Sequence, residues 1–259
     1  MSTTEHRPTE RVLDILELLS NSESGMTLTE LSKALEAPKS SIMPLVHTMR
    51  SRNFIYMQSE TLRYFIGVAT YTVGISYNNH QTSLQFIKQE MEKISSICDE
   101  TCQLGIQSRN MILYIAKVES SQPIRLISSV GKQLPLYCTS LGRALLAYKS
   151  DDEIRNMFPS TLKSYTSNTV TNIDSLLKEL VATRERGYAM EREETNHMVN
   201  CIAVSLNYHN NPIAAISVSI PTFRLNEQKI QETVNVLFEA KRNIESHFKM
   251  FGVDFGNLD

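Results

Sequence analysis

The spacing of apolar residues predicts a helical hairpin near the start of the chain. Within residues 27–54, TLTELSKALEAPKSSIMPLVHTMRSRNF, a first helix is predicted over residues 28–35, with Thr27 and Glu30 in the positions of a capping box. A second helix is predicted over residues 40–50, because apolar residues recur there at i, i+3, i+4 and i+7. The residues of this stripe are Ile42, Leu45, Val46 and Met49. One face of the second helix is therefore expected to be buried and the other exposed.

The exposed face of the second helix has the composition of a helix that lies in the major groove of DNA. Hydroxyl groups and an imidazole reach base edges, while cations hold phosphates. This interpretation places Thr27, Lys39, Ser40, Ser41, Met43, His47, Thr48, Arg50 and Arg52 at the DNA. A helical hairpin with a merely solvated face fits the same segment equally well, since such patterns also occur by chance.

The segments on either side of the hairpin favour a winged helix-turn-helix. Residues 11–20 carry a wide apolar stripe that suits a helix packed under the hairpin. Residues 54–66 read as two strands joined by a polar turn at residues 59–61. The tip of this wing, which includes Arg63, is expected to lie beside the DNA backbone.

Two further helices are predicted as a linker, over residues 68–80 and 83–100. The second carries an apolar stripe made of Leu84, Ile87, Met91, Ile94 and Ile97. An exposed stripe of this size would be a liability, so we expect it to pack between domains or between subunits.

From residue 101 onward the pattern alternates between strands and helices and predicts an α+β domain with a largely antiparallel sheet. The predicted strands are residues 101–107, 110–118, 124–129, 188–194, 199–208 and 212–220. The predicted helices are residues 140–149, 151–158, 174–186 and 227–250. Ser150 with Glu153, Gly187 and Asn226 are expected to cap them.

Composition narrows the possible classes of protein. A chain of 259 residues with 41% hydrophobic content can bury a core and suggests two domains. We divide it into a DNA-binding domain of residues 1–75, a linker of residues 76–98 and a second domain of residues 99–259. No apolar run approaches the roughly 18 residues of a membrane span, so a cytoplasmic protein is expected.

Charge and cysteine content add two further expectations. A net charge of −2 argues against unspecific coating of nucleic acid, so DNA contact must come from a local patch. After Ala37 such a patch exists, with Lys39, Arg50, Arg52 and Arg63 opposed only by Glu60. The four cysteines lack a disulfide spacing and are expected to be reduced.

The last two strands predict a sheet with two unlike faces. On residues 199–208 the small side chains of Cys201, Ala203 and Ser205 share one face, and on residues 212–220 those of Ala215, Ser217 and Ser219 do. The opposite faces carry only aliphatic residues and should pack on helices. The face of small, mildly polar side chains has room for a ligand.

A helix that begins at Ser140 suits an anion such as a carboxylate. The first-turn amides of Leu141, Gly142 and Arg143 would be unpaired donors, and Gly142 would let a ligand approach closely. Thr139 and Ser140 can add hydroxyl groups. The alternative is an N-capped helix without a ligand.

Several motifs, taken in order, resemble the IclR family of bacterial transcription regulators. They are RVLDILELL, LTELSKAL, PKSS, YFIG, LPLYCTSLGRALLA, GYAMEREE and CIAVSL followed by IAAISVSIPTFR, and they run from Arg11 to the last helix. The resemblance implies a winged helix-turn-helix followed by a GAF-like effector domain. It also implies operator binding as dimers or dimers of dimers, with small organic acids as common effectors.

The resemblance implies effector contacts at particular residues of this chain. They are Ser140, Leu141, Glu191, Cys201, Ser217 and Ser219. This sequence departs from the family pattern where Ser140 and Leu141 replace Gly or Ala, and where Glu191 replaces Asp. These changes alter the size of the pocket, so no particular ligand is transferred.

A third departure lies in the second helix of the hairpin. Pro44 stands where the family usually has Arg, which removes one potential DNA contact and one backbone donor. In a helix that starts at Ser40, Pro44 would fall in the first turn, where its missing amide costs little. A helix that starts earlier should kink at Pro44.

The cysteine and histidine residues raise three alternative chemistries: a metal site, a thiol hydrolase and a redox sensor. His197 with Cys201, and Cys98 with Cys102, are each four residues apart, but a metal needs three or four ligands and no further cluster supplies them. A hydrolase with Cys201 as nucleophile lacks an oxyanion-hole motif. A redox sensor built on Cys138 and Cys201 would need a depressed thiol pKa. We therefore expect a regulator that is not an enzyme and carries no metal or cofactor.

Overall fold

The chain folds into two units, Met1–His80 and Gln81–Asp259. The computed structural model describes residues 6–79, 82–126 and 128–253. Residues 80 and 127, on which a predicted helix and a predicted strand partly fall, lie outside the described residues.

The first unit is the predicted winged helix-turn-helix. Its helices are α1 Arg7–Ser20, α2 Leu28–Ala34, α3 Lys39–Ser51 and α4 Val68–Asn79, and its strands are β1 Met26–Thr27, β2 Ile55–Gln58 and β3 Arg63–Ile66. The strands form an antiparallel sheet in the order β1-β3-β2. Strand β1 has only two residues, too few for a pattern of alternation, and was not predicted.

Side chains from α1, α2, α3 and the wing form one hydrophobic core. Its buried members are Ile15, Leu19, Leu31, Ala37, Ile42, Val46, Met49, Ile55 and Tyr64. The predicted capping box of α2 is confirmed. The Glu30 amide donates to Thr27 Oγ1 at 3.3 Å, and the Thr27 amide donates to Glu30 Oε2 at 2.7 Å. The predicted stripe of α3 is also confirmed, with Leu45 packed against the buried Ile42, Val46 and Met49.

Pro44 corresponds to the second of the two predicted cases, in which the helix starts before Ser40. Helix α3 begins at Lys39 with Pro38 as its N-cap, and Pro44 lies inside the helix rather than in its first turn. Proline has no N–H, so the Ser40 carbonyl cannot accept the usual bond from position 44. The main chain of the helix therefore offers an extra acceptor near its exposed N-terminal end.

The second unit is built on one six-stranded antiparallel sheet. Its strands are β4 Thr101–Ser108, β5 Met111–Val118, β6 Gln133–Pro135, β7 Ala189–Arg192, β8 Val199–Tyr208 and β9 Asn211–Pro221, in the order β6-β5-β4-β9-β8-β7. The predicted strand over residues 124–129 is wrong for the residues described there. The third strand lies further on, because β6 pairs with Met111, Ile112 and Leu113 of β5.

Helices cover both faces of this sheet. Helices α5 Thr82–Cys98 and α9 Glu227–Phe251 pack on the aliphatic face, where Ile202, Val204, Ile216 and Val218 lie. Helices α6 Ser140–Leu146, α7 Asp151–Met157 and α8 Ile173–Arg186 cover the face of small side chains. The predicted difference between the two faces is confirmed.

The apolar stripe of α5 packs inside the second unit. Leu84, Ile87, Met91 and Ile94 are buried against α9 and the sheet, so the expectation that this stripe joins domains or subunits was wrong for these four residues. Ile97, predicted as a fifth member, is 52% exposed. Helical spacing alone could not distinguish these partners.

The predicted caps of the remaining helices are confirmed. Ser150 and Glu153 form a second capping box at α7. Asn226 Oδ1 accepts from the Lys229 amide at 2.8 Å at the start of α9. Gly187 ends α8 with a φ of 78°, a left-handed conformation that glycine adopts without strain.

Candidate DNA interface and ligand site

The exposed face of α3 carries the side chains that the sequence selected. Among them, Lys39, Ser40, Met43, His47, Thr48 and Arg50 are exposed, as is Arg52 after the helix, and Ser41 is half-buried. The Ser41 hydroxyl donates to the Pro38 carbonyl at 2.7 Å, and the Thr48 hydroxyl donates to the Pro44 carbonyl at 2.9 Å. Their oxygens can still accept bonds, so this face combines acceptors with three cations.

Two of the residues selected for DNA contact are used inside the protein. Thr27 is half-buried as the cap of α2. Arg63 donates to the Gly25 carbonyl at 2.8 Å and forms two bonds to Glu30, at 3.1 and 3.2 Å. Because Glu30 also caps α2, one carboxylate joins the start of the helix-turn-helix to the wing.

A small cavity lies between the N-terminal end of α6 and the sheet face of small side chains. It has a volume of about 20 Å³, little more than the space of one water molecule. It is lined by Gln103, Tyr114, Leu126, Ser128, Lys132, Leu134, Thr139, Ser140, Glu191, Thr195, Asn196, Val199, Cys201 and Ser217. Most of these side chains are polar, and Lys132 is exposed.

Strand register explains why these residues meet. Glu191 on β7 lies opposite Cys201 on β8, and Cys201 lies opposite Ser219 on β9. Gln103 on β4 lies opposite Ser217 on β9. Side chains at these positions point to the same face, because pairing in register preserves the alternation of the strands.

Of the eight residues selected for the ligand, five line the cavity, namely Thr139, Ser140, Glu191, Cys201 and Ser217. The other three lie behind it. Leu141 is buried in the core between α6 and the sheet. Ser219 contacts Cys201 Sγ at 3.2 Å and donates to Gln103 Oε1 at 3.2 Å. Ser219 therefore holds two of the lining side chains in position.

Gly142 has a packing role that the sequence did not predict. A Cβ atom at this position would lie 2.2 Å from the Leu136 carbonyl oxygen, so only glycine lets α6 approach the preceding turn this closely. Its amide donates to Thr139 Oγ1 at 3.1 Å, and the Arg143 amide donates to the Thr139 carbonyl at 2.9 Å. The prediction that both amides are unpaired was wrong, because the threonine caps its own helix.

The buried carboxyl group of Glu191 is the main electrostatic feature of the cavity. Burial raises its pKa to about 7, although the amides of Glu194 and Thr195, which both donate to Glu191 Oε1, act in the opposite direction. Near neutral pH the group is therefore partly protonated. In that form it can donate a hydrogen bond to an oxygen of a ligand.

Gln103 connects the floor of the cavity to the segment that covers it. Its side-chain amide nitrogen donates to Ser128 Oγ at 2.5 Å, while its oxygen accepts from Ser219. The covering segment also accepts a bond from Lys117 at the Ser128 carbonyl. Sequence reasoning missed Gln103 and Ser128, since neither belongs to a motif and their proximity depends on strand register.

A buried ion pair lies beneath the cavity and was also missed. Arg143, only 1% exposed, binds both carboxylate oxygens of Glu194 at 2.6 Å and donates to the carbonyls of Tyr137 and Met190 at 2.9 and 3.1 Å. The signal was present in SLGRALLA, where an arginine stands among apolar residues of a helix. A charge at such a position needs a buried partner.

The pKa values of the Cys138 and Cys201 thiols are both shifted away from the thiolate form. Burial, together with the adjacent Glu191 carboxyl group, raises the pKa of Cys201 well above its ordinary value. Burial also raises the pKa of Cys138 to about 12. Reactive cysteines need the opposite shift, because the thiolate is the attacking species.

No group of three or more His, Cys, Asp or Glu side chains that could hold a metal occurs among the described residues. In the same ranges, none of the helices combines the length and the apolar character needed to cross a membrane.

These two units define a DNA-binding transcription regulator: a winged helix-turn-helix, and a sensor domain with an enclosed polar cavity. Family models match both. The IclR helix-turn-helix domain matches residues 8–59, and the bacterial transcriptional regulator IclR C-terminal domain matches residues 76–246. The chain belongs to the IclR family, as the motifs in its sequence indicated, and the second unit is its effector domain.

Individual proteins agree with this assignment. The HTH-type transcriptional regulator KdgR of Escherichia coli K12 is 30% identical over 91% of this chain and 90% of its own length. The crystal structure of an IclR transcriptional regulator from Alicyclobacillus acidocaldarius has a TM-score of 0.85 at 23% identity, covering 93% of this chain and 98% of that one. An IclR homologue from Microbacterium hydrocarbonoxydans, complexed with 4-hydroxybenzoate, has a TM-score of 0.78 at 21% identity, covering 94% and 99%.

Proposed function

We propose that this protein is a ligand-responsive regulator whose operator binding is modulated by a small organic acid held in the effector-domain cavity. The observation that carries the proposal is the set of side chains in this cavity. Ser140 and Ser217 offer hydroxyl donors, Glu191 is partly protonated near pH 7, and Lys132 supplies a cation at the rim, whereas the Thr139 hydroxyl already donates to the Pro135 carbonyl at 3.1 Å. Such a set can satisfy the oxygens of a carboxylate through neutral donors and one charge.

The complex of the Microbacterium hydrocarbonoxydans homologue supports the same class of ligand, because 4-hydroxybenzoate is a small carboxylate. It does not identify the ligand of this chain. Glu191 and Leu141 depart from the family pattern, and Glu191 lines the cavity. We therefore propose the chemical class only.

The cavity must enlarge before a ligand can enter. About 20 Å³ is far less than even a small acid occupies, and Ser128, one of the residues that cover the cavity, lies outside the strands. Displacing it breaks the bond between Gln103 and Ser128. A ligand that binds only the open form shifts the protein toward that form, and operator binding changes if the two forms differ in DNA affinity.

Helix α4 supports a dimer as the form that binds DNA. Val68, Tyr71, Val73 and Ile75 are between 39% and 69% exposed, which is an unusual amount of apolar surface for one short helix. A second copy of the chain would cover it and would place two winged domains on one operator. If the protein binds as a dimer, we expect a pseudo-palindromic operator whose two half-sites are related by the twofold axis of the dimer.

The effector site is tested by removing hydroxyl groups from it. The double variant Ser217→Ala, Ser219→Ala should bind operator DNA within about twofold of the wild type, while the response to an effector is lost because one ligand contact and its support are missing. Operator binding is measured by fluorescence anisotropy. The operator DNA is identified by genome-wide immunoprecipitation, and the candidate effectors are a panel of small carboxylates that includes 4-hydroxybenzoate. Ser205→Ala, on the same sheet face outside this cavity, is the matched control. A full response in the double variant would place the effector elsewhere.

The DNA contacts are tested by the salt dependence of operator binding. Each phosphate contact contributes about one to the slope of log affinity against log salt. Lys39→Gln and Arg50→Gln should each reduce the slope by about one. Arg63→Gln should leave the slope unchanged because Arg63 is paired with Glu30. Arg109→Gln, in an exposed turn of the effector domain, is the control. A reduced slope for Arg63→Gln would instead assign Arg63 to a phosphate.

A further inference from the structure

A second and larger cavity lies at the opposite end of α6. It has a volume of about 290 Å³, enough for a small organic molecule. Methyl groups of Ala144, Ala147 and Ala189 contribute to its walls together with Tyr148, Tyr188 and Ser205. It opens on the same sheet face as the proposed effector site, where Ser205 follows Cys201 by four residues along β8.

Hydrogen bonds at this cavity converge on one phenol. Ser205 Oγ donates to Tyr148 Oη at 3.0 Å, and Asn207 Nδ2 donates to the same oxygen at 2.9 Å. Lys241 Nζ in turn donates to Ser205 Oγ at 3.2 Å. With both lone pairs of Tyr148 Oη engaged, its own proton is left to donate outward. Tyr148 is 51% exposed and therefore within reach of a molecule in the cavity.

Arg184, which lines this cavity, and Lys241, which bonds to Ser205, are already committed. The Arg184 guanidinium donates to the carbonyls of Ala147 and Lys149 at 2.8 and 3.0 Å, which satisfies the C-terminal end of α6. Lys241 lies 3.0 Å from Glu245. A charged ligand would thus lose its hydration without gaining a free counter-charge from these two cations.

We propose that this cavity is a second binding site, which takes a small uncharged carbonyl compound. The carbonyl oxygen accepts the proton of Tyr148 Oη, and the apolar body of the ligand packs on the alanine methyl groups and the ring of Tyr188. Lys241 strengthens the bond through Ser205, because a donor that itself accepts a charge-assisted bond is polarised. The site is separate from the effector cavity, since the two share no lining residue.

Acetophenone and ethylbenzene provide a matched pair of probes, because they have similar shapes and only the first has a carbonyl group. In the full-length protein, acetophenone should bind about fivefold more tightly than ethylbenzene, the difference expected from one net hydrogen bond. Tyr148→Phe should abolish this preference while keeping the cavity. Ala147→Leu, which fills the cavity, should abolish binding of both probes. Dissociation constants from ligand-observed NMR titrations measure these effects.

Ser217→Ala, in the effector cavity, is the control and should leave both dissociation constants unchanged. Failure of acetophenone to bind at about 5 mM, where a dissociation constant in the millimolar range would be detected, would overturn the proposal. Retention of the carbonyl preference in Tyr148→Phe would also overturn it, and that variant keeps the test decisive even if Ala147→Leu does not fold. Acetophenone binding lost in Ser217→Ala but kept in Ala147→Leu would assign the probe to the effector cavity instead.

Discussion

Replacing Arg143 with methionine should lower the free energy of unfolding of the effector domain by about 3–5 kcal/mol, the usual cost of breaking a buried ion pair. The substitution removes four hydrogen bonds, to Glu194, Tyr137 and Met190, and leaves a carboxylate buried without its counter-charge. Chemical denaturation followed by circular dichroism measures the loss.

A double variant separates the cost of the unpaired charge from the value of the pair. Arg143→Met combined with Glu194→Met should recover part of the lost stability, because no isolated charge remains buried. The recovery should be incomplete, since Glu194 Oε2 also accepts the Val170 amide at 3.1 Å. A loss below about 1 kcal/mol for the single variant is typical of a solvent-screened pair and would refute a structural role for this one.

Gly142→Ala should destabilise the effector domain by about 1–3 kcal/mol, as overpacked positions do. The added methyl group would meet the main chain of Leu136 at 2.2 to 2.6 Å, and backbone atoms cannot rotate away as a flexible side chain can. Calorimetric unfolding without any ligand measures this effect. If Gly142 served only to let a ligand approach, the unliganded protein would lose no stability.

Gly74→Ala is the matched control for this substitution. Gly74 also lies in a helix, α4, but a Cβ atom there meets nothing within 4 Å. The expected effect is a gain of about 0.5–1 kcal/mol, because alanine loses less conformational freedom in a helix than glycine does. Equal losses at both glycines would mean that the close approach to Leu136 is not the cause.

The elements that the sequence predicted well are those whose signal is local. The capping boxes at Thr27 and Ser150 need only residues three apart. The apolar stripe of α3 and the two faces of β8 and β9 follow from the period of a single element. Each of these patterns is a property of one short segment, and the structure confirms them.

The features that the sequence did not predict depend on which segments become neighbours. Ser217 and Gln103 meet through the register of β4 and β9, which neither strand specifies alone. The stripe of α5 has the same spacing whether it covers its own sheet or another subunit. In the sequence alone, Gly142 is compatible with the close approach of a ligand, and only the position of Leu136 shows that the preceding turn packs there. These contacts join residues that are distant in sequence, and a single sequence does not show directly which distant residues become neighbours.

Glu30 has a consequence for how such a regulator can diversify. One carboxylate holds both the first turn of α2 and Arg63 of the wing, so Thr27, Glu30 and Arg63 form a unit in which a change at one position disturbs the other two. Among the described residues, the exposed side chains of α3 form no hydrogen bond or ion pair with these three residues. If this face of α3 contacts DNA as proposed, changes there would alter operator preference while the frame stays constant, so that duplicated copies of the gene could acquire new operators without refolding the domain that presents them.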